Sequence, residues 1–231
     1  MTRAVAHMRW ELRLLLRNGE QVLVMFVIPL ALLIALDLTG IGPEPVPAVL
    51  TVSIMATCFT SLAISTGFER RSGALRHAAT TPLTRLELLT GKLLATGLCA
   101  LISVGVVAAV AVILGWRPAG TWPASLVVAV AGAAAFAALA VLLAGTLRAE
   151  AVLALANGLF ILLIVFGGVL IPVGSMPAPV GAVVSLLPSA ALADGLRATL
   201  VDGAFPVMDI TALVVWAIAA ALLARRTFRW D

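Results

Sequence analysis

Few residues in this chain could do covalent or acid–base chemistry, and their spacing argues against it. Cys58 and Cys99 each lie inside an apolar run with no second thiol near in sequence, which gives neither a disulfide framework nor the paired spacing of a zinc site. His7 and His77 stand far apart, so neither a metal site nor an intramembrane protease is supported. Serines are common, but no G-x-S-x-G occurs and no base is paired with one. A phosphate loop of the G-x-x-x-x-G-K-[ST] type is missing too: Gly91-Lys92 is followed by Leu93, and Leu86 stands where the first glycine would be. The chain is therefore expected not to be an enzyme and to bind no metal or cofactor of its own. Asp37 and Asp209 fall near the ends of apolar runs, where carboxylates hydrate easily, and are poorly placed as proton relays. Asp194 and Arg197 are three residues apart, a spacing at which helical side chains pair.

The elements that would position these groups are membrane helices. Of 231 residues, 62% are hydrophobic and 11% charged, with mean hydropathy +1.16, against about 45–50% and about 25% in soluble domains. A soluble globule could not cover that much apolar surface, whereas a bilayer solvates it. Charge-poor runs predict an all-α membrane protein, one domain over 1–231, with six spans near 21–38, 46–68, 93–115, 123–147, 151–171 and 207–224. Pro172, Gly174, Pro177, Pro179 and Pro188 break the stretch before the last span. Residues 172–206 are accordingly expected to form a re-entrant or interfacial hairpin of two short helices, allowed at membrane depth only where protein or a wet cavity satisfies its backbone.

The net charge is +4, and thirteen of the fifteen lysines and arginines fall on one side of this topology. The positive-inside rule then puts both termini in the cytoplasm, with the chain in the cell (inner) membrane. No cleavable signal peptide is visible, because the first long apolar run begins near Val22 and has the length of a span. In residues 1–20, Arg9, Arg13 and Arg17 recur every four positions while Val5, Met8, Leu12, Leu15 and Leu16 form an apolar stripe. That pattern describes an interfacial amphipathic helix on anionic membrane lipids, anchored by Trp10, which either orients the first span or docks specifically. Nucleic acid is not an expected partner.

The longest cytoplasmic loop, residues 69–92, reads ERRSGALRHAATTPLTRLELLTGK. Ser72 to Ala79 is compatible with a short helix, Pro82 enforces a turn, and Thr84 with Glu87 forms a T-x-x-E capping box that opens a helix into the third span. The pattern E-R-x-x-G-x-L at Glu69–Leu75, T-T-P-L-T-R at Thr80–Arg85 and G-K at Gly91-Lys92 resembles the loop between spans two and three of type 2 permeases of ATP-binding cassette transporters. Leu187-Pro188-Ser189 and Asp194-Gly195-Leu196-Arg197 are also similar to that family's hairpin before the last span. The resemblance implies a membrane subunit whose loop couples to a separate cytoplasmic ATPase, which holds ATP and Mg, and which faces a second permease chain, identical or related. It assigns coupling to Glu69, Arg70, Arg71, Gly73, Leu75, Arg76, Pro82 and Leu83, with the arginines as charge contacts and Leu75 and Leu83 as apolar plugs.

For a pathway, Ser53, Thr57, Thr60, Ser61 and Ser65 fall along one face of the second span. They would line a wet route or let helices pack closely. Asn157 must satisfy a costly amide, across a dimer or in a cavity. If the family's use of the first and fifth spans holds, Met25, Phe26, Pro29 and Leu33 with Phe160 and Phe166 would line an apolar route, and the Asp194–Arg197 pair would shape an outer gate. With no tyrosine and 6% aromatics, sugar stacking is disfavoured. The expected cargo of such an exporter is a hydrophobic or amphipathic small molecule, drug-like or lipid, with a lipid-linked glycan as the alternative. A stand-alone secondary transporter would need central carboxylates or repeated halves, and neither is visible.

Overall fold

In the computed structural model, residues 3–40, 45–73, 84–120 and 122–228 are described, and every regular element among them is helical. The chain runs through α1 (Arg3–Arg17), α2 (Gly19–Thr39), α3 (Pro45–Arg71), α4 (Arg85–Ile113), α5 (Trp122–Thr146), α6 (Ala149–Phe166), α7 (Ala178–Val184), α8 (Pro188–Leu200) and α9 (Val207–Thr227). Six of these, α2 to α6 and α9, are long and apolar enough to cross a membrane.

Local chemistry sets their ends. Asn18 caps α2 by accepting from the backbone N–H of Glu20 and Gln21 at 3.2 and 3.4 Å. The Thr84–Glu87 capping box is formed: the Glu87 carboxylate accepts from Thr84 N at 2.8 Å and the Thr84 hydroxyl from Glu87 N at 3.2 Å. The fifth span stops at Phe166 rather than 171, because Gly168 turns the chain with φ +80, a conformation that glycine adopts freely.

The centre of the bundle is α3. In its most apolar stretch 89% of residues are buried, against 17% in α2, α6 and α9. Small and hydroxyl side chains such as Ala48, Ser53, Ala56, Thr57 and Ala63 let neighbouring backbones approach it. Phe59 meets Phe136 of α5 edge to face at 6.1 Å. α5 in turn packs along α9 and against α8, and Gly132 allows the α8 contact, since a Cβ there would lie 2.5 Å from Leu192 Cδ1.

The proline-broken stretch forms α7 and α8, bent by 98°. Pro188 opens α8, whose side chains from Ser189 to Ala193 are buried. The pair is tied to its surroundings by hydrogen bonds, as a polar backbone needs in an apolar setting. Ser189 donates to Gly167 O at 2.8 Å, Trp216 Nε1 of α9 donates to Leu186 O at 2.9 Å, and Ala119 and Gly120 both donate to Leu200 O, at 3.1 and 3.3 Å. At Gly120 the loop between α4 and α5 lies so close to α8 that a Cβ would fall 1.6 Å from Thr199 O, a backbone atom. Gly120→Ala is expected to push the loop off α8, costing about 1–3 kcal/mol. A thermal unfolding midpoint in detergent that matches the wild type would refute this tight contact.

Candidate functional site

The polar groups of α3 divide into two sets. Ser53 Oγ lies 2.7 Å from Ser103 Oγ of α4, and Ser103 donates to Met25 O of α2 at 2.5 Å. With the Ser103 proton so committed, Ser53 is the donor to Ser103, and one hydroxyl chain links three spans. Thr57 donates back to Ser53 O at 2.9 Å. The hydroxyls of these two residues of the predicted face are thus satisfied within the bundle.

The second set behaves differently. Like Thr66 Oγ1 farther along α3, Thr60 Oγ1, Ser61 Oγ and Gln21 Oε1 are buried and have no hydrogen-bond partner among the described residues. Thr66 does not line the cleft that the other three share. Gln21, Thr60 and Ser61 line this cleft of about 370 Å³, together with Asn18 and Glu20 from the start of α2, Ser65 and Phe68 from α3, and Leu153 and Asn157 from α6. A buried hydroxyl or amide left unpaired is costly, on the order of 1–3 kcal/mol, so such a cluster around open space is suited to a polar ligand group or water. Phe68, Val24, Ile64 and Leu153 give the same cleft an apolar side. It can hold a molecule with both characters.

A π-helical turn explains the division. Residues Ala56–Ser61 of α3 and Leu23–Val27 of α2 are π-helical, a local widening found often at functional sites. In an unbroken α-helix Ile54 and Ser61, seven residues apart, would share a face. Here the extra residue in the turn rotates the helix beyond it, so that Ile54 faces α4 and α5 while Ser61 faces α2 and α6.

At the end of the bundle where α1 packs on α4, a charge network joins α1, α3 and α4. Lys92 Nζ lies 2.5 Å from Glu69 Oε1 and 3.4 Å from Glu11 Oε2, and His7 Nε2 lies 3.2 Å from Glu11 Oε1. Lys92 and Glu11 are buried, at 5% and 7% side-chain exposure. Burial pushes the Glu11 carboxyl up, but the His7 hydrogen bond and the Lys92 charge outweigh it and hold the group below the usual carboxylate range. Lys92 thus joins both ends of the loop to α1. The next two residues reach other spans: Arg70 donates to Ala144 O at 2.8 Å and to Leu147 O, at the end of α5, and Arg71 pairs with Glu150 in the first turn of α6. Cations at a helix C-terminus satisfy its last carbonyls.

Of the residues the sequence singled out, Thr60, Ser61, Ser65 and Asn157 come together at the cleft. Met25, Pro29 and Leu33 are buried inside the chain, Met25 with Leu15, Ala95 and Cys99, and Phe26 packs on that cluster. Phe160 packs against the main core and Phe166 is exposed. The cleft takes Val24 from α2 instead. Glu69, Arg70 and Arg71 sit at the charge network, and Gly73 comes just after them with φ +75. Leu75, Arg76, Pro82 and Leu83 lie outside the described residues. Asp194 and Arg197 pair at 2.6 Å, and Arg197 also donates to Gly168 O at 3.0 Å and to Val169 O. Glu11, Gln21 and Lys92 were not among the predicted site residues. No group of three metal-binding side chains occurs among the described residues.

An apolar bundle of six membrane-length helices around a polar cleft is the frame of a membrane permease. The profile of the ABC-2 family transporter proteins matches residues 45–226, from the start of α3 almost to the end of α9, and the chain belongs to that family. It is a multi-pass membrane protein and a permease subunit of an ATP-binding cassette transporter, a class in which it works beside an ATP-binding cassette subunit. Among curated proteins none matches the chain.

Proposed function

We propose that the chain is the permease of an exporter that moves an amphipathic or hydrophobic small molecule, drug-like or lipid, on ATP and Mg held by a separate subunit. The observation that carries the cargo class is the cleft between α2, α3 and α6: orphaned Gln21, Thr60 and Ser61 on one side, Phe68 and Leu153 on the other. A glycan would call for aromatic stacking surface, and Phe68 is the one aromatic among the described residues that line the cleft. Both termini are cytoplasmic in this reading, and α1 lies along the bilayer surface with Trp10 exposed. Two chains pair across the exposed faces of α2 and α6, closing a shared route by twofold symmetry.

Coupling runs through the 69–92 loop. Leu75, Arg76 and Leu83 meet the ATPase, while Arg70, Arg71 and Lys92 carry loop movement into α5, α6 and α4. Purifying the tagged chain in mild detergent is expected to bring a near-equimolar ATPase with it, and Arg76→Glu to lose that partner. Transport that survives nucleotide depletion would overturn the reading. For the cleft, Asn157→Leu and Thr60→Val are each expected to lower transport several-fold, the scale of one lost hydrogen bond at about 0.5–1.5 kcal/mol. Vesicle uptake rates equal to wild type in both variants would move the pathway elsewhere.

A further inference from the structure

A larger cavity opens toward the bilayer between α4 and α5. These two helices touch only sparsely, and the gap between them is a groove of about 620 Å³, floored by Leu50 and Ile54 of α3. It runs along α4 from Leu93 to Ala108 and reaches Leu196 and Leu200 of α8. At 1.5 Å rise per residue that stretch of α4 is ~22 Å long, more than the ~15 Å depth of one leaflet's hydrocarbon. Unlike the cleft, this lining contains none of the buried unpaired polar atoms found among the described residues, and its Ser125 hydroxyl donates to Trp122 O at 2.8 Å. Gly97 lies in the groove wall, and a Cβ built there meets no atom within 4 Å. The space is apolar, elongated and open along α4, which excludes a compact polar ligand.

One end of the groove is bordered by Met8 of α1. Arg9, the neighbour of Met8 in sequence, and Arg13, one turn further on, are both exposed. We propose that the groove holds an acyl chain of an anionic phospholipid from the leaflet on which α1 lies, with the headgroup over the α1 arginines. The headgroup half of this proposal rests on α1 lying at the bilayer surface, as in the proposed function; the acyl-chain half does not. A lipid so placed touches the central span and α8 at once, so its presence would stiffen the two against each other.

Two measurements on the full-length chain test this. In nanodiscs of phosphatidylglycerol and phosphatidylcholine in equal amounts, a phospholipid carrying a photoreactive diazirine in its acyl chain is expected to label residues between 93 and 108 and between 122 and 133 above all other lipid-facing segments. Labelling spread evenly over the exposed spans would overturn the groove as a site. Native mass spectrometry after detergent washing is expected to find a retained phosphatidylglycerol, lost in Gly97→Leu and in Gly97→Met. Arg9→Gln and Arg13→Gln should each lower its enrichment over phosphatidylcholine by about fivefold, the effect of one surface cation on an anionic lipid, without moving the photolabel. Equal retention in the wild type and both Gly97 variants would refute the acyl site; unchanged enrichment in the arginine variants would refute the headgroup contact. A co-purifying peptide cross-linked to α4 would replace lipid with protein as the occupant and reject the proposal.

Discussion

Lys92→Met is expected to leave almost no folded permease in the membrane. Its ammonium is buried and stands between two carboxylates, Glu69 at 2.5 Å and Glu11 at 3.4 Å. Removing the Lys92 charge leaves two acids close together with little water, and breaking a buried pair in this way costs about 3–5 kcal/mol. That is a large share of the roughly 5–15 kcal/mol that holds a typical domain together. The measurements are the yield of monodisperse protein and the thermal unfolding midpoint in detergent. A triple variant, Lys92→Met with Glu11→Gln and Glu69→Gln, is expected to recover most of the yield, because replacing a whole buried ionic group by neutral residues of similar size is often nearly neutral. Its ATP-driven transport should stay lost, since loop and α1 would no longer be joined by charge. Normal yield in the single variant would show that the network carries little stability, and normal transport in the triple variant that it carries no coupling.

Glu11 by itself gives a pH sign. Glu11 is held below the usual carboxylate range, so the stability it contributes is complete above that range and is lost as pH falls through the lowered value. The contact of Glu11 with Lys92 is therefore expected to hold at neutral pH and to weaken in acid. Unfolding midpoints measured from neutral to acidic pH should decline at the acid end, and more weakly in Glu11→Gln.

How much of the fold and the cleft is legible in the chain depends on the range of the interactions. The six spans are legible because each depends on some twenty consecutive residues, and the Thr84–Glu87 cap because its partners are three apart. The hydroxyl stripe of α3 is legible as residues but not as a face, because spacing arguments assume 3.6 residues per turn and the π-helical turn at Ala56–Ser61 breaks that rule. The Lys92 network is hidden for another reason. Its carboxylates come 23 and 81 residues earlier in the chain, and only the packing of α1 against α4 brings Glu11 in. Arg70 reads as a surface contact because its acceptors are backbone carbonyls of α5 and the residue after it, and a carbonyl leaves no mark in a sequence.

Arg197 presents the same difficulty, and it yields the second large effect. From sequence it belongs to a pair with Asp194, and if that pair were the whole of its role, removing either partner would cost about the same. In the structure Arg197 has three acceptors: Asp194, Gly168 O and Val169 O. The two carbonyls sit in the buried turn just after α6, where the chain leaves the fifth span. Arg197→Met strips both of their donor and leaves Asp194 unpaired as well, at about 1–3 kcal/mol for each stranded group. Asp194→Asn keeps Arg197 on its two carbonyls and loses only the charge of one contact, about 1 kcal/mol. The expected order is thus a severe loss of unfolding midpoint and transport in Arg197→Met, and a mild one in Asp194→Asn. Arg197→Lys should resemble methionine more than arginine, because one ammonium cannot reproduce a planar fork that spans neighbouring carbonyls and a carboxylate. Equal losses in Arg197→Met and Asp194→Asn would instead make the ion pair the fastening. The ordered result would mean that α8 is pinned to the end of α6, so that any movement of the fifth span that opens the cleft must carry the bent helical pair with it.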